Sequence, residues 1–242
     1  MPCSFIILAT PLTKTKQFVS SVRCKSIFSS LHENGHNLTV LSPDVEDSKQ
    51  NLTYLHLDKV YPAIYNGSEE MDFLKFTKAS PIELFTFYSE SSKKSCRGSL
   101  ESKGFSQLMK YPDDFKFDLI LHDFTMDSCL LAVMSKFGEI NAVGMSAYNA
   151  PGQFGANLIY PSFVPAHDLL CTSKMTFMER IESTITHLIE HIFQEYVINK
   201  ATQETVRQFY PNMPKLRSYK RNYKMYLINS DSITDNKLVI SY

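Results

Sequence analysis

The sequence predicts an α/β protein built on a doubly wound, mostly parallel, Rossmann-like sheet. Short apolar runs of strand length recur along the chain, and segments with apolar residues at helical spacing lie between them. The order strand, helix, strand is completed within residues 4–43, as expected of a βαβ unit. With 242 residues the chain can bury the core of one large domain.

The first βαβ unit opens the chain. SFIILAT, residues 4–10, is a continuous apolar run that predicts a strand buried on both faces. The next segment predicts a helix that Asn34 and Gly35 end with a left-handed turn, and NLTVLSP predicts the second strand. The apolar stripe of that helix contains Val19, Val22, Ile27, Phe28 and Leu31.

Residues 81–110 predict an exposed loop between two short helical pieces. The segment SESSKKSCRGSLESKG within them is rich in Ser, Lys and Gly, a composition typical of exposed connections. The segment is too short to be a linker between domains.

The second half of the chain repeats the alternation. DLIL predicts a strand, Gly138 ends the helix after it, and NAVGMSA predicts the next strand. Residues 176–206 predict the longest helix, and MYLINS predicts a last strand. The apolar stripe of the long helix contains Met178, Ile181, Ile185, Leu188, Ile189, Ile192, Phe193 and Tyr196.

Composition excludes several classes of function. The 25 basic and 25 acidic residues balance, so no overall field would attract nucleic acid or anionic lipid, and a small neutral ligand fits better. Apolar runs fall far short of the roughly 20 residues that a membrane-spanning helix needs. The five cysteines follow no spacing that predicts a zinc site or a disulfide framework, so we expect small buried side chains and no bound metal.

Three sequons favour a secretory compartment. Asn37, Asn51 and Asn66 each begin an Asn-x-Ser/Thr sequence, which is glycosylated only in that compartment. The amino-terminal sequence MPCSFIILATP enters a strand directly and does not resemble a signal peptide. A lumenal location would therefore need a leader outside these residues.

Asp123 is the first candidate site residue. FDLILHDF, residues 117–124, predicts a buried strand that ends at the carboxylate of Asp123. Ligands of open parallel sheets bind at the carboxyl ends of the strands. Two interpretations stay open: Asp123 caps the following helix, or it orients a reacting group and accepts a proton. The loop after the first strand contains no glycine, which argues against a nicotinamide or flavin cofactor.

The segment HLIEH, residues 187–191, matches the H-x-x-E-H zinc-protease pattern. At 100° per residue, His187, Glu190 and His191 lie on the side of the helix away from its apolar stripe. We therefore expect a solvated polar face there and no zinc site. A Ser/His/Asp hydrolase is not predicted either, because the sequence contains no G-x-S-x-G.

The ordered pieces resemble a known family. NGHNLTVLSP, FDLILHDF followed by CLLAVMSKFG, VGMSAYNAPG, PSFVPAHDLLCTSKMTFMERIESTI and YLINSD resemble animal UDP-glycosyltransferases, and the arthropod members look closest. PSFVP followed by MTFMERI is the most specific part. The resemblance extends over nearly the whole chain.

The resemblance implies the amino-terminal half of a type B glycosyltransferase, which has two Rossmann-like domains. Residues 1–230 would form the domain that holds the lipophilic acceptor molecule, and residues 231–242 would begin the interdomain linker. No part of the chain resembles the His-Gly-Gly signature that binds the UDP-sugar, the family's co-substrate. The resemblance implies the endoplasmic reticulum, whereas the lack of a signal peptide or anchor in this chain leaves a cytosolic location open.

The family's chemistry needs a His and an Asp and no metal or other cofactor. The His follows the first strand and deprotonates the hydroxyl of the acceptor molecule, and the Asp orients that His. Asp123 matches the Asp, but the position of the His falls at Ser20, or near Lys16 if the gap is shifted. We therefore expect the isolated chain to be inactive.

Two functions remain open for such a chain. It is part of a glycosyltransferase that moves a hexosyl or glucuronosyl group to a small lipophilic molecule, or it is a non-catalytic domain that binds small lipophilic molecules. In both, we expect Phe124, Tyr148 and Phe154 to line the pocket. An apolar surface exposed near the carboxyl edge of the sheet would favour self-association.

Overall fold

The computed structural model describes residues 3–8, 19–44, 46–65, 81–123, 128–146, 174–219 and 222–228. Within them a single sheet of six strands is flanked by helices on both faces. The strands are β1 (Ser4–Leu8), β2 (Asn37–Ser42), β3 (Leu52–His56), β4 (Leu119–Asp123), β5 (Ala142–Ser146) and β6 (Tyr223–Ile228).

The described helices alternate with the strands. Gly35 and Gly138 adopt positive φ angles of 82° and 79°, which confirms both predicted stops. The α-helices are α1 (Val19–Glu33), α2 (Val60–Tyr65), α3 (Pro81–Glu101), α4 (Lys103–Leu108), α5 (Met134–Phe137), α6 (Phe177–Phe193), α7 (Asn199–Phe209) and α8 (Leu216–Tyr219). A 3-10 helix covers Cys129–Val133, and a π-helical turn, Gln194–Ile198, joins α6 to α7.

The strand order is β3-β2-β1-β4-β5-β6, and every pairing between these strands is parallel. The predicted doubly wound sheet is therefore confirmed. The chain moves outward from β1 to β3 and then returns to β4 on the other side of β1. This reversal makes the gap between β1 and β4 the topological switch point, where open α/β sheets bind their ligands.

Apolar side chains alternate between two cores, one on each face of the sheet. Ile6 and Ile120 pack on one face with α3, α4 and α7, whereas Ile7 and Leu121 pack on the other face with Phe28 of α1. This alternation is the period of two that an extended strand imposes. Because both faces of the sheet are covered, residues pointing to either face are apolar, and each strand is a continuous apolar run in the sequence.

The loop predicted within residues 81–110 is wrong. These residues form α3, a helix of 21 residues, followed at once by α4. The serines that suggested a loop lie on the buried side of α3 at spacings of three and four. They are Ser89, Ser92, Ser95 and Ser99, with Ser102 just after the helix.

Small residues on α3 permit a close approach to α2. A Cβ atom added at Gly98 would lie 2.8 Å from the carbonyl oxygen of Lys59 and 2.9 Å from the Cα atom of Val60. Gly104 of α4 lies equally close to the end of β3, where an added Cβ would be 2.5 Å from the carbonyl oxygen of His56. The Ser-rich and Gly-rich composition that suggested a loop is thus required by the tight packing of these helices.

A disulfide bond joins Cys96 of α3 to Cys129, the first residue of the 3-10 helix. Both residues are buried, as predicted, but the spacing of the cysteines did not predict a disulfide bond between them. They are 33 residues apart in sequence, and no spacing rule would have paired them. The bond ties α3 to the segment that follows β4.

Candidate functional site

Asp123 lies at the last position of β4, beside the switch point. It pairs in register with Met145 of β5, while the preceding residue, His122, pairs with Leu8, the last residue of β1. The side chain is nearly buried, with 6% of its surface exposed. A carboxylate at this position can accept a hydrogen bond or a proton from a ligand held at the carboxyl edge.

The structure bears on the alternative that Asp123 only caps a helix. The next described helix begins at Cys129, and its N-cap position is occupied by Ser128. Asp123 therefore does not hold the N-cap position of that helix. The Cys96–Cys129 disulfide lies close to Asp123 in sequence.

His122 lies behind Asp123 and points to the opposite face of the sheet, because successive side chains of a strand alternate. It is fully buried, and its Nδ1 atom is hydrogen-bonded to the hydroxyl of Tyr223 on β6. The two rings lie nearly parallel with centroids 6.1 Å apart. Ala142 and Gly144 of the intervening β5 pair with Tyr223 and Tyr226, and their small size leaves room for this contact.

The electrostatics around Tyr223 follow from burial. Desolvation raises the pKa of Tyr223 well above 10.0, and the neighbouring Tyr226 and Asp123 raise it further. The hydroxyl therefore stays protonated. His122 and Tyr223 thus connect the central strand β4 to the outermost strand β6. The sequence did not point to either residue as part of the site.

Ser20 is the second residue of α1, and its side chain lies outside what the structure describes. Because α1 follows β1, its first turn is reached from the carboxyl edge, the edge at which Asp123 lies. Several other predicted site positions fall outside the described residues altogether. They are Lys16, Phe124, Tyr148, Phe154 and Asn66.

Asn37 and Asn51 lie together at the amino edge of the sheet. Asn37 begins β2, Asn51 precedes β3, and both side chains are exposed. The amide of Leu38 donates to the carbonyl oxygen of Asn51 over 2.8 Å, which ties the two sequons together. Both sequons therefore lie at the edge opposite Asp123.

The solvated polar face predicted at HLIEH is wrong for two of its three residues. His187 is buried with 8% of its surface exposed, and its Nδ1 atom lies 3.6 Å from Oε2 of Glu190, which is itself only partly exposed. His191 is exposed, as predicted. The reason is that α6 has the opposite orientation, with its apolar stripe turned to solvent.

No group of three or more His, Cys, Asp or Glu side chains that could hold a metal ion occurs in the described parts of the chain. None of the helices described there combines the length and the apolar composition needed to cross a bilayer.

A parallel, doubly wound sheet with a buried carboxylate at its switch point defines a Rossmann-like α/β fold, a class whose ligands bind at the carboxyl edge of the sheet. The family model described as UDP-glucoronosyl and UDP-glucosyl transferase matches residues 9–235. The chain belongs to this UDP-glycosyltransferase family, whose fold is that of the type B glycosyltransferases.

Two curated relatives illustrate the similarity. The chain is 26% identical over 205 residues to 2-hydroxyacylsphingosine 1-beta-galactosyltransferase of Mus musculus, covering 81% of this chain and 36% of the relative. It is 28% identical over 194 residues to UDP-glucuronosyltransferase 1A8 of Homo sapiens, covering 74% of this chain and 36% of the relative. The chain thus spans about a third of the length of these relatives. The predicted resemblance to arthropod members stays a prediction.

Proposed function

We propose that this chain is the acceptor-binding part of a UDP-glycosyltransferase that moves a hexosyl or glucuronosyl group from a UDP-sugar to a small lipophilic molecule. The observation that carries the proposal is the position of Asp123. A buried carboxylate at the carboxyl end of β4 lies where a doubly wound sheet binds its ligand.

The proposed reaction fixes what Asp123 must do. In the family's scheme the oxygen of the acceptor molecule attacks the anomeric carbon, the bond from that carbon to the UDP oxygen breaks and UDP leaves with its electron pair, and the hydroxyl proton passes to the general base. Asp123 would accept the hydrogen bond that positions this hydroxyl and would stabilise the positive charge of a base beside it. UDP-sugar is a co-substrate in this scheme, and these residues call for no other cofactor.

The family's base is not matched in this chain, where Ser20 stands at its expected position. A serine hydroxyl has no useful proton affinity near neutral pH, and loss of a general base costs about 10² to 10⁴ in rate. We therefore propose that the 242 residues alone are inactive. Turnover of a UDP-sugar by the purified chain would contradict this.

The position of Asp123 at the carboxyl edge also favours a second candidate function, that of a non-catalytic domain that binds small lipophilic molecules. Phe124, Tyr148 and Phe154 follow β4 and β5 in sequence and would supply the apolar lining of the pocket. The two candidates differ in whether UDP-sugar binds and reacts. Both need the carboxyl-edge pocket.

Binding of the acceptor molecule can be tested by ligand-dependent thermal unfolding. A panel of small phenols and lipophilic alcohols should raise the melting temperature of the chain, because a ligand that binds only the folded state stabilises it. Asp123→Asn, which keeps the shape and removes the charge, should weaken the effect for hydroxyl ligands. Lys49→Ala at the amino edge is the control and should leave it unchanged. A flat response over the whole panel would contradict the proposal.

The compartment that we propose is the lumen of the endoplasmic reticulum. The Cys96–Cys129 disulfide is of the kind that persists in oxidising compartments, and the exposed sequons Asn37 and Asn51 fit the same location. When the chain is directed into the secretory pathway, endoglycosidase should lower its apparent mass. Asn37→Gln should remove one glycan. Thr53→Ala should remove another, because it destroys the sequon of Asn51 without changing Asn51 itself. An unglycosylated secreted chain would contradict this assignment.

Self-association through an exposed apolar surface stays a prediction. Sedimentation velocity over a range of chain concentrations tests it directly.

A further inference from the structure

A second carboxylate lies at the carboxyl edge of the sheet, across β1 from Asp123. β2 ends at Ser42, and Asp44 follows two residues later with an exposed side chain. β2 and β4 pair with opposite sides of β1, so their carboxyl ends flank the switch point. Asp44 therefore belongs to the same edge of the sheet as Asp123.

The register of the sheet sets the distance between the two carboxylates. Leu8 of β1 pairs with Leu41 of β2 and with His122 of β4, so these three residues lie at one level. Neighbouring strands are about 4.8 Å apart, and Asp44 lies three residues past Leu41, which places its Cα atom about 10–15 Å from that of Asp123. An extended chain of about eight carbon atoms with a polar group at each end, at about 1.2 Å per bond, spans a gap of this size.

Three hydrogen bonds hold the segment that carries Asp44. The hydroxyl oxygen of Ser42 accepts from the amide of Asp44 over 3.0 Å, and Nε2 of His56 donates to the carbonyl oxygen of Pro43 over 3.0 Å. The hydroxyl of Tyr61, on α2, donates to Oδ1 of Asp44 over 2.8 Å. The carboxylate is thus positioned before a ligand arrives, which lowers the entropic cost of binding one.

Tyr61 occupies only one of the two oxygens of Asp44. Burial raises the pKa of Tyr61, and the hydrogen bond and negative charge of Asp44 raise it further, so the hydroxyl stays protonated and keeps donating to Oδ1. Within the described parts of the chain, no hydrogen bond or ion pair engages Oδ2 of Asp44. An ionised carboxylate accepts several hydrogen bonds, so this oxygen can receive one from a ligand.

The chemistry of a positioned carboxylate determines which ligand groups it favours. It accepts a hydrogen bond from a hydroxyl group and a stronger, charge-assisted one from an ammonium group. A ligand carboxylate brings a like charge and no donor, so it is disfavoured at the same place. The neighbouring acid Glu46 is not equivalent, because it is hydrogen-bonded to Tyr54 of β3.

We propose that Asp44, positioned by Tyr61, is a second anchor of the acceptor site and selects elongated lipophilic alcohols that carry a second hydrogen-bond donor. The inference rests on the proposed function, since it takes Asp123 as the group that positions the reacting hydroxyl. The reacting end of the ligand lies at Asp123, its apolar middle crosses the end of β1, and its second donor binds Oδ2 of Asp44. Tyr61 is a positioning residue in this arrangement and does not touch the ligand.

Calorimetric titration of the 242-residue chain with four ligands of equal chain length tests the proposal. The ligands are ω-amino-octanol, octanediol, octanol and ω-hydroxyoctanoate, which differ only in the group at the second end. We expect affinity to fall in that order, because the second group changes from a charged donor to a neutral donor, to no polar group and to an anion.

Substitutions at the second anchor should change the order without abolishing binding. Asp44→Asn should weaken ω-amino-octanol about tenfold, reduce the advantage of octanediol and leave octanol unchanged. Tyr61→Phe should shift the same ratio of affinities in the same direction but by less, because it removes only the positioning bond. Asp114→Asn makes the same chemical change at an exposed position before β4, at the amino edge, and should alter none of the affinities.

The outcomes separate this inference from the proposed function. If octanol and ω-amino-octanol bind equally well and Asp123→Asn weakens both, the acceptor site stands and the second anchor is refuted. A preference for the ammonium group that survives Asp44→Asn, or that only Asp123→Asn removes, also refutes it. If none of the four ligands binds, both the second anchor and the acceptor site are contradicted.

Discussion

Cys96 of α3 and Cys129 of the 3-10 helix are covalently joined, although 33 residues separate them. The bond closes a loop that contains the whole of β4 and therefore Asp123. Because a cross-link of this size restricts the unfolded chain, it stabilises the fold.

Removal of this disulfide should lower the free energy of unfolding. For Cys96→Ser with Cys129→Ser we expect a loss of about 2–4 kcal/mol, measured by urea unfolding. Cys3→Ser, which leaves the Cys96–Cys129 bond intact, is the control and should leave stability nearly unchanged. Equal stability of the double variant and the original chain would contradict the assignment of the bond.

Gly98→Ala should destabilise the protein, contrary to the usual effect of this substitution in a helix. Alanine in a helix interior is normally favoured over glycine by about 0.5–1 kcal/mol. Here the added Cβ would lie 2.8 Å from the carbonyl oxygen of Lys59, so overpacking should cost about 1–3 kcal/mol instead. Lys94→Ala on the exposed side of α3 is the control. A rise in melting temperature for Gly98→Ala would show that α2 and α3 are not this close.

Tyr223→Phe should destabilise the fold through His122. The substitution removes only the hydroxyl that is hydrogen-bonded to the buried imidazole, and an unsatisfied buried polar group costs about 1–3 kcal/mol. Tyr226→Phe, at a position of the same strand that is 37% exposed, should cost less. Equal unfolding midpoints in urea for the two variants would rule out an energetic role for the contact.

Stability should also fall at alkaline pH, in part through Tyr54. Burial raises the pKa of Tyr54 from 10.0 to about 12, and the charge and hydrogen bond of Glu46 add to the shift. Since the pKa is raised in the folded state, the contribution is present below pH 10 and is lost as the pH rises through about 12. The difference in phenolate absorbance between the original chain and Tyr54→Phe should isolate this titration, because the other tyrosines are common to both. Glu46→Gln should lower the pKa of Tyr54, and no change would contradict the contact.

Much of the fold could be predicted because strands buried on both faces leave continuous apolar runs in the sequence. β1, β2, β4 and β5 each correspond to such a run, and Gly35 and Gly138 mark the helix ends through their positive φ angles. β3 was not predicted, since LTYLH mixes polar and apolar residues beside a turn. The position of Asp123 followed from strand order alone, whereas the His122–Tyr223 contact joins residues 101 apart that no local pattern connects.

Two of the wrong predictions concern which side of a helix is buried. Composition distinguishes an exposed loop from a buried helix only when the core is formed by large apolar residues, and α3 instead buries serines and Gly98. Periodicity locates the stripe of α6 but does not say which side is buried. Ile185 and His187 therefore have the reverse of their predicted exposure, although the helix itself was predicted.

The central claim is that the carboxyl edge beside Asp123 holds a lipophilic hydroxyl compound. Hydrogen exchange measured by mass spectrometry, with and without a saturating phenol from the thermal panel, tests this claim most directly. The account predicts slower exchange in peptides that contain the carboxyl ends of β4 and β5, and no change in peptides that contain Asn37 or Asn51 at the amino edge. Protection confined to the amino edge, or an exchange pattern that the phenol does not alter, would contradict it.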